Sequence, residues 1–411
     1  MPPLPPGVEH SYHPYGRHGA IISYYHSGAR RAAVGANADA DDANATHPQP
    51  RGIVVFISGF GVGGWHYERN LPALAKAGYS CFAPDLLGQG RSWPRSHPLG
   101  GAGEEEQGAI PSPPPLSSDS FDAEDASEND DARVLRYSVD EWVEQLRRFI
   151  VEVALPRGGG GNKVTLVGNS LGGFLAVQLS ARYPELIRGV ALLNATPFWA
   201  FQKRVASGSS WSWPPRALDG RVPAPGPVTT TIRRLWWDSL RRPDTVETLL
   251  AQVYANPQAF RDDGGSSSSS STAARILEAT EHPLAVDAFV SIALSPKPAV
   301  DFDEALASPQ ARSVPYLLLY GAQDPWVHPY WGRRARRARP DAPLWLIDGS
   351  GHCPAHESPT AVNESLRRWM AWVEEGGGFV GGGAGGGGEG APPPPPPPPL
   401  AVGDAWAFSC G

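Results

Sequence analysis

The stretch Gly168-Asn169-Ser170-Leu171-Gly172 fits the pattern G-x-S-x-G, which sets a serine hydroxyl on a tight turn between a strand and a helix. Lys163 to Val167 reads as that strand, and Leu171 to Tyr183 as that helix. A serine near its free pKa is a weak nucleophile and needs a base to take its proton. His352 is placed for this, in Asp348-Gly349-Ser350-Gly351-His352-Cys353-Pro354 after the strand Leu344 to Ile347, with His356 as competitor four residues on. The acid that orients an imidazole is expected after the preceding strand, Tyr316 to Tyr320, where Gly321-Ala322-Gln323-Asp324-Pro325-Trp326 supplies Asp324. A turn-capping role is the bland alternative for an Asp before Pro. An earlier strand ends in Asn194, which carries no charge, and Asp85 precedes the nucleophile and reads as a turn stabiliser. Ser170, His352 and Asp324 together predict acyl transfer through a covalent intermediate.

The tetrahedral intermediate of that chemistry carries negative charge, which two backbone N–H groups must meet. Leu171 is one predicted donor, and Phe60, in Ser58-Gly59-Phe60-Gly61-Val62-Gly63-Gly64, is the other. The phosphate-binding alternative for such a glycine turn fails, because no G-x-x-x-x-G-K-[ST] is present. His66 reads as a structural histidine. Neither a cofactor nor a metal site is expected.

Six short apolar runs are predicted strands: Ile53 to Ile57, Ser80 to Ala83, Lys163 to Val167, Gly189 to Leu193, Tyr316 to Tyr320 and Leu344 to Ile347. Amphipathic stretches lie between them, among them Val139 to Val153 behind the capping box of Ser138 and Glu141, and Thr360 to Glu374. Alternation of this kind gives an α/β fold with a mostly parallel, doubly wound sheet, whose ligands bind beyond the carboxyl ends of the strands. From Pro197 to about Val300 helical segments such as Thr229 to Arg241 and Val246 to Tyr254 take over, which predicts an inserted helical cap. The expected organisation is a first core part over 16–196, the cap over 197–299, a second core part over 300–375 and an unstructured tail over 376–411. Residues 99–131 hold ten acids and no base, a composition that buries too little to order itself and reads as a disordered insertion. The serine run Ser266 to Ser271 reads as another loop expansion, and the tail contains eight consecutive prolines, Pro392 to Pro399.

The net charge is −7, and setting aside the ten acids of the insertion leaves +3, which argues against nucleic acid as a partner. Three cysteines, Cys81, Cys353 and Cys410, make no disulfide framework. Met1 to Gly7 lacks the pattern of a signal peptide and no apolar run reaches the ~20 residues of a membrane span, so a soluble or peripheral protein is expected. Arg333, Arg334, Arg336, Arg337 and Arg339 form a basic cluster, read either as a solvated helix face or as a weak attraction to an anionic lipid surface, a peripheral membrane contact. Phe198, Trp199, Phe201, Trp211, Trp213, Trp236 and Trp237 make the cap rich in rings, which suits both a large apolar ligand and cap-to-core packing.

Several separated stretches carry a more specific likeness. They are Gly59-Phe60-Gly61-Val62-Gly63 with His66-Tyr67-Glu68, Leu87-Gly88-Gln89-Gly90, Gly168 to Gly173, Leu192 to Trp199, Gln252-Val253-Tyr254-Ala255, Tyr320-Gly321 with Asp324-Pro325-Trp326-Val327, and Gly351-His352-Cys353-Pro354. Over about Gly16 to Glu375 the chain resembles the pheophytinases and their chlorophyll-dephytylating relatives, with Asn194 to Trp199 and Asp324 to Val327 the narrowest signatures. The resemblance implies an α/β-hydrolase fold, the same Ser170, His352 and Asp324 triad, and hydrolysis of the phytyl ester of pheophytin or a related chlorophyll derivative. Phe198, Trp199 and Trp326 are then the predicted substrate-binding residues, and a chloroplast location is implied by the likeness alone. Ser58 departs from it, standing where the family usually has proline. The competing functions are a general carboxylesterase or lipase and a hydrolase-fold receptor with slow turnover.

Overall fold

The computed structural model describes residues 3–16, 19–28, 50–94, 135–159, 161–197, 222, 224, 226–261, 271–295, 298–377 and 408–410. The acidic insertion 99–131, most of the serine run (266–270), Phe198 and Trp199 lie outside them, as does the tail apart from residues 376, 377 and 408–410.

Ten strands form one sheet: β1 (Glu9–Tyr15), β2 (Ala20–Ser27), β3 (Gly52–Ile57), β4 (Tyr79–Pro84), β5 (Trp93–Pro94), β6 (Val164–Asn169), β7 (Ile187–Leu193), β8 (Tyr316–Gly321), β9 (Leu344–Ile347) and β10 (Phe408–Cys410). Their order is β1-β2-β4-β3-β6-β7-β8-β9-β10, with β5 paired to β2. From β4 to β9 every pairing is parallel. The six predicted strands are these six. Each is continuously buried in sequence because both sheet faces are covered. In β3, Ile53, Val55 and Ile57 pack on one side with Trp142, Leu146 and Leu166. Val54 and Phe56 pack on the other with Val167, Trp345 and Trp369. Alternate residues of an extended strand thus feed two cores.

Two features depart from expectation. The hairpin β1–β2 extends the sheet antiparallel beyond β4, where no strand was predicted. The last residues of the tail expected to be unstructured, Phe408–Cys410, pair antiparallel with β9, which would otherwise leave its outer N–H and C=O groups at a bare sheet edge.

The helix Val139–Phe149 begins at Ser138, whose hydroxyl accepts the Glu141 N–H at 3.3 Å, and it continues through a π-helical turn, Ile150–Ala154, to Gly158. Between β7 and β8 the described chain is helical, in Gly226–Ile232 running on to Leu240, then Pro243–Val253, Gln258–Arg261, Thr272–Thr280 and Ala285–Leu294. Val246, Leu250, Val253, Tyr254, Phe260 and Ala273 form a small apolar core of their own, which meets the main domain at Cys353.

Candidate active site

Ser170 sits between β6 and the helix Leu171–Arg182 with φ 53° and ψ −115°. A side chain at positive φ is strained, and such strain persists only where neighbours enforce it. Here the Ser170 N–H donates to the Leu193 carbonyl at 3.0 Å, and the Ser170 carbonyl accepts from Gly173 and Phe174 at 3.0 and 3.2 Å. The flanking glycines are required by contact: a Cβ on Gly172 would lie 2.0 Å from the Ile57 carbonyl oxygen, and one on Gly168 2.3 Å from that of Gly172. Backbone approaches that close tie the turn to β3.

Asp324 and His352 approach from the ends of β8 and β9, two and three strands along the sheet from β6. The Nδ1 of His352 lies 2.7 Å from Asp324 Oδ2, with both side chains buried. The other carboxylate oxygen accepts the N–H groups of Trp326 and Val327 at 2.8 and 2.9 Å. Burial raises the Asp324 carboxyl, but the hydrogen bond and charge of His352 and those two N–H groups outweigh it, leaving the group below its ordinary value. His352 donates its own N–H to the Val253 carbonyl at the end of a cap helix, at 3.0 Å, and its carbonyl accepts from Asn169 Nδ2 at 2.9 Å. His356 stands elsewhere. It is buried, stacked on His66 with ring centres 4.8 Å apart, and Tyr254 OH bridges the pair at 3.0 Å from His66 Nε2 and 3.3 Å from His356 Nδ1.

Sequence reasoning set Asn194 aside for its lack of charge and so missed its place beside Asp324. Its Nδ2 donates to Asp324 Oδ2 at 2.6 Å, its Oδ1 accepts the Gly321 N–H at 2.9 Å, and its φ is 42°. The available signal was its position, a polar side chain at the carboxyl end of a central parallel strand.

Of the predicted N–H donors, Leu171 is buried at the first turn of its helix, and Phe60 lies on the loop after β3. Asp85 fixes that loop. Its carboxylate accepts from Gly64 N–H at 2.6 Å, Arg91 N–H at 2.8 Å and the Ser23 hydroxyl at 2.8 Å, while Gln89 Oε1 accepts the Gly61 N–H at 2.7 Å. Full burial pushes the Asp85 carboxyl above its usual range against those donors. The Ser58 hydroxyl is buried and finds no hydrogen-bond partner among the described residues, so no bond described here depends on a hydroxyl where proline was expected.

Ser170 and His352 open into one cavity of about 380 Å³. Phe60, Trp326, Trp237, Leu250, Phe289 and Ile292 are among its walls, and Asn169, Gln89 and Arg241 are among its few polar ones. Trp326 stands with its ring centre 5.9 Å from that of His352. The cap's tryptophan pair divides: Trp237 is buried on the cavity, whereas Trp236 faces outward. Among the described residues no cluster of His, Cys, Asp and Glu is arranged to hold a metal ion.

The model of the alpha/beta hydrolase family matches residues 54–365. The chloroplastic pheophytinase of Arabidopsis thaliana is 35% identical over 323 residues, and the match spans 79% of this chain and 62% of that protein. A 2-hydroxy-6-oxononadienedioate/2-hydroxy-6-oxononatrienedioate hydrolase of Escherichia coli O81 (strain ED1a) is 23% identical over 321 residues, 78% of this chain and 86% of its own length. Among solved structures, a membrane phospholipase A that is a bacterial virulence factor superposes with a TM-score of 0.53 at 17% identity, covering 89% of this chain and 87% of that one. The epoxide hydrolase CorEH gives 0.53 at 16%, covering 88% and 99%. At these identities the structural likeness concerns the fold alone.

Proposed function

Because the chain belongs to the alpha/beta hydrolase family, we propose that it is a serine esterase that splits the phytyl ester of pheophytin, or of a closely related chlorophyll derivative, in chlorophyll breakdown. The observation that carries the proposal is the placement of Ser170 and the Asp324-held His352 on one largely apolar cavity, in a chain 35% identical to a pheophytinase. In the proposed reaction His352 takes the proton of Ser170, whose oxygen attacks the ester carbonyl. Asp324 steadies the imidazolium, and the Phe60 and Leu171 N–H groups meet the oxyanion. The alcohol leaves with the proton from His352, and water, activated by the same base, releases the acid and restores Ser170. The relative's chloroplastic location supports a chloroplast site of action, and no helix among the described residues is long and apolar enough to cross a membrane.

The metal-free pigment is the favoured substrate for a chemical reason. The Mg²⁺ of chlorophyll prefers an axial oxygen or nitrogen ligand, and an apolar wall without one penalises its loss. Among the described cavity walls His352 is the single imidazole, and with its Nδ1 held by Asp324 its Nε2 is the base assigned to Ser170 in the proposed reaction. His282, a nearby alternative, is stacked on Trp93 with ring centres 4.1 Å apart. Burial brings its pKa down to about 4, so the ring is neutral at pH 7, and its Nδ1 accepts the Leu284 N–H at 3.2 Å. The proton of that tautomer is on Nε2, which leaves no lone pair there for a metal.

One observation favours a second reading, a carboxylesterase for smaller apolar esters: 380 Å³ falls near the lower end of the ~300–1,000 Å³ typical of small-molecule sites. The test is kcat/KM measured in parallel on pheophytin, chlorophyll and a short acyl ester, with Ser170→Ala as control. Pheophytin is expected to lead, and Ser170→Ala to be inactive yet folded. Equal values for the two pigments would remove the pheophytin assignment, and turnover of the short ester alone would install the second reading.

A further inference from the structure

The described surface places its large apolar side chains unevenly. Phe60, Leu240, Leu249 and Trp326, all of them exposed, line the cavity that holds Ser170. Trp326 is 55% exposed and Phe60 47%, so the entrance is rimmed by rings that face water. The cap helix that supplies Trp237 and Leu240 to the cavity carries Leu235 and Trp236 just outside it, at 66% and 62% exposure. Trp236 and Leu240 lie on this same helical run, so exposed apolar side chains continue from the cavity onto the outer cap. Of the eight exposed large apolar residues described, Val151 alone lies on an element away from this rim.

Positive charge accompanies the patch. Four residues after Trp326 begins the helix Tyr330–Ala338, which presents Arg333, Arg334, Arg336 and Arg337 to solvent, Arg334 paired with Asp303 of a neighbouring helix, and carries no acid of its own. Arg337 lies over the exposed Tyr330 ring at 5.7 Å, joining the charged face to the apolar one. Arg339, grouped with them by sequence, does not belong: it is buried, donating to the Ala311 and Val314 carbonyls at 2.9 Å and paired with Asp341. On the cap, Arg233, Arg234 and Arg242 are exposed around Trp236, with the exposed Asp238 between them.

We propose that this rim docks on an anionic lipid surface, with Trp236 and Leu235 entering the interface and the arginines of Tyr330–Ala338 meeting headgroup phosphates. The inference rests on the esterase reading for its purpose, since a phytyl ester partitions into lipid and would pass from bilayer to cavity without crossing water. Its evidence is separate: exposed aromatic and aliphatic side chains flanked by arginines are the composition of interfacial anchors. A protein partner of the same size would leave a continuous apolar rim around an open cavity unexplained, whereas a lipid surface uses both.

The test separates docking from catalysis. The full chain carrying Ser170→Ala is sedimented with vesicles of phosphatidylcholine alone and of phosphatidylcholine with phosphatidylglycerol. The same is done for a variant that adds Leu235→Asp and Trp236→Asp. Binding is expected to favour the anionic vesicles, to weaken with salt, and to fall about tenfold or more in the added double variant. With Ser170 restored, Leu235→Asp and Trp236→Asp should leave hydrolysis of a soluble short ester unchanged and slow that of a phytyl ester presented in vesicles. Equal vesicle binding by parent and variant overturns the proposal. So does a concentration-dependent dimer that the double variant abolishes without any change in vesicle binding, because a second copy then covers the patch. Loss of soluble-ester hydrolysis in the unsubstituted protein would instead count against the esterase reading and leave the sedimentation result to stand by itself.

Discussion

Asp324 is surrounded by donors, and that is the controlling fact at the level of single residues. Two N–H groups, one amide and one imidazole reach its carboxylate. Its pKa is depressed, so the stability it contributes is present above the ordinary carboxylate value and is lost as pH falls through its lower folded value. Asp324 is accordingly expected to stay ionised through the acid limb of kcat/KM. Asp324→Asn is expected to cut the rate by up to ~10⁴, as the imidazole loses its tautomer and its counter-charge. Near-normal turnover in that variant would mean another carboxylate serves. Asn194→Asp would set a second carboxylate 2.6 Å from the first, and because two carboxylates that close share a proton, the pH–rate profile should change as the pair takes one up above the ordinary carboxylate value. A pH–rate profile that does not move would show Asn194 to be structural only. The contrast in legibility is physical. Ser170, His352 and Asp324 announce themselves because glycines and strand ends surround them. Asn194 acts through Asp324, 130 residues away, and only the pairing of β7 with β8 brings the two together.

The secondary-structure elements repeat that contrast. Buried parallel strands are continuous apolar runs and were readable as such. The hairpin β1–β2 was not, since Glu9–Tyr15 contains two histidines and a proline and is held by cross-strand pairing. Pro14 is tolerated there because β1 is the edge of the sheet. Asp85, read from sequence as a turn stabiliser, joins three segments, the β2 strand, the loop after β3 and the turn at Arg91. Asp85→Ala strips the acceptor from a buried and a part-buried N–H group and a buried hydroxyl, and should cost about 3 kcal/mol in urea unfolding. A loss under ~1 kcal/mol would mean water replaces the carboxylate freely. The cap helix Thr272–Thr280 is clasped to the core by Arg275, whose guanidinium lies 4.2 Å from the Trp65 ring centre and pairs with Glu68 at 2.7 Å. In Arg275→Ala, hydrogen exchange should quicken in Thr272–Thr280 while β6 stays protected. Uniform loss of protection would show that cap and core unfold as one.

At the scale of the whole molecule, the contacts between core and cap include Arg275, the pairing of Arg91 with Glu278, and a backbone bond of another kind. The His352 N–H is held by the Val253 carbonyl, the last residue of the cap helix Pro243–Val253. Beside it Glu357 accepts N–H groups from Ala255 and Asn256 on the cap and from Gly351 and Cys353 on the histidine loop. The turn after the cap helix Pro243–Val253 and the base's loop are therefore one hydrogen-bonded piece. Under the proposed mechanism this makes the enzyme an interlock: a cap that swings far enough to part from His352 takes away the support of its own base.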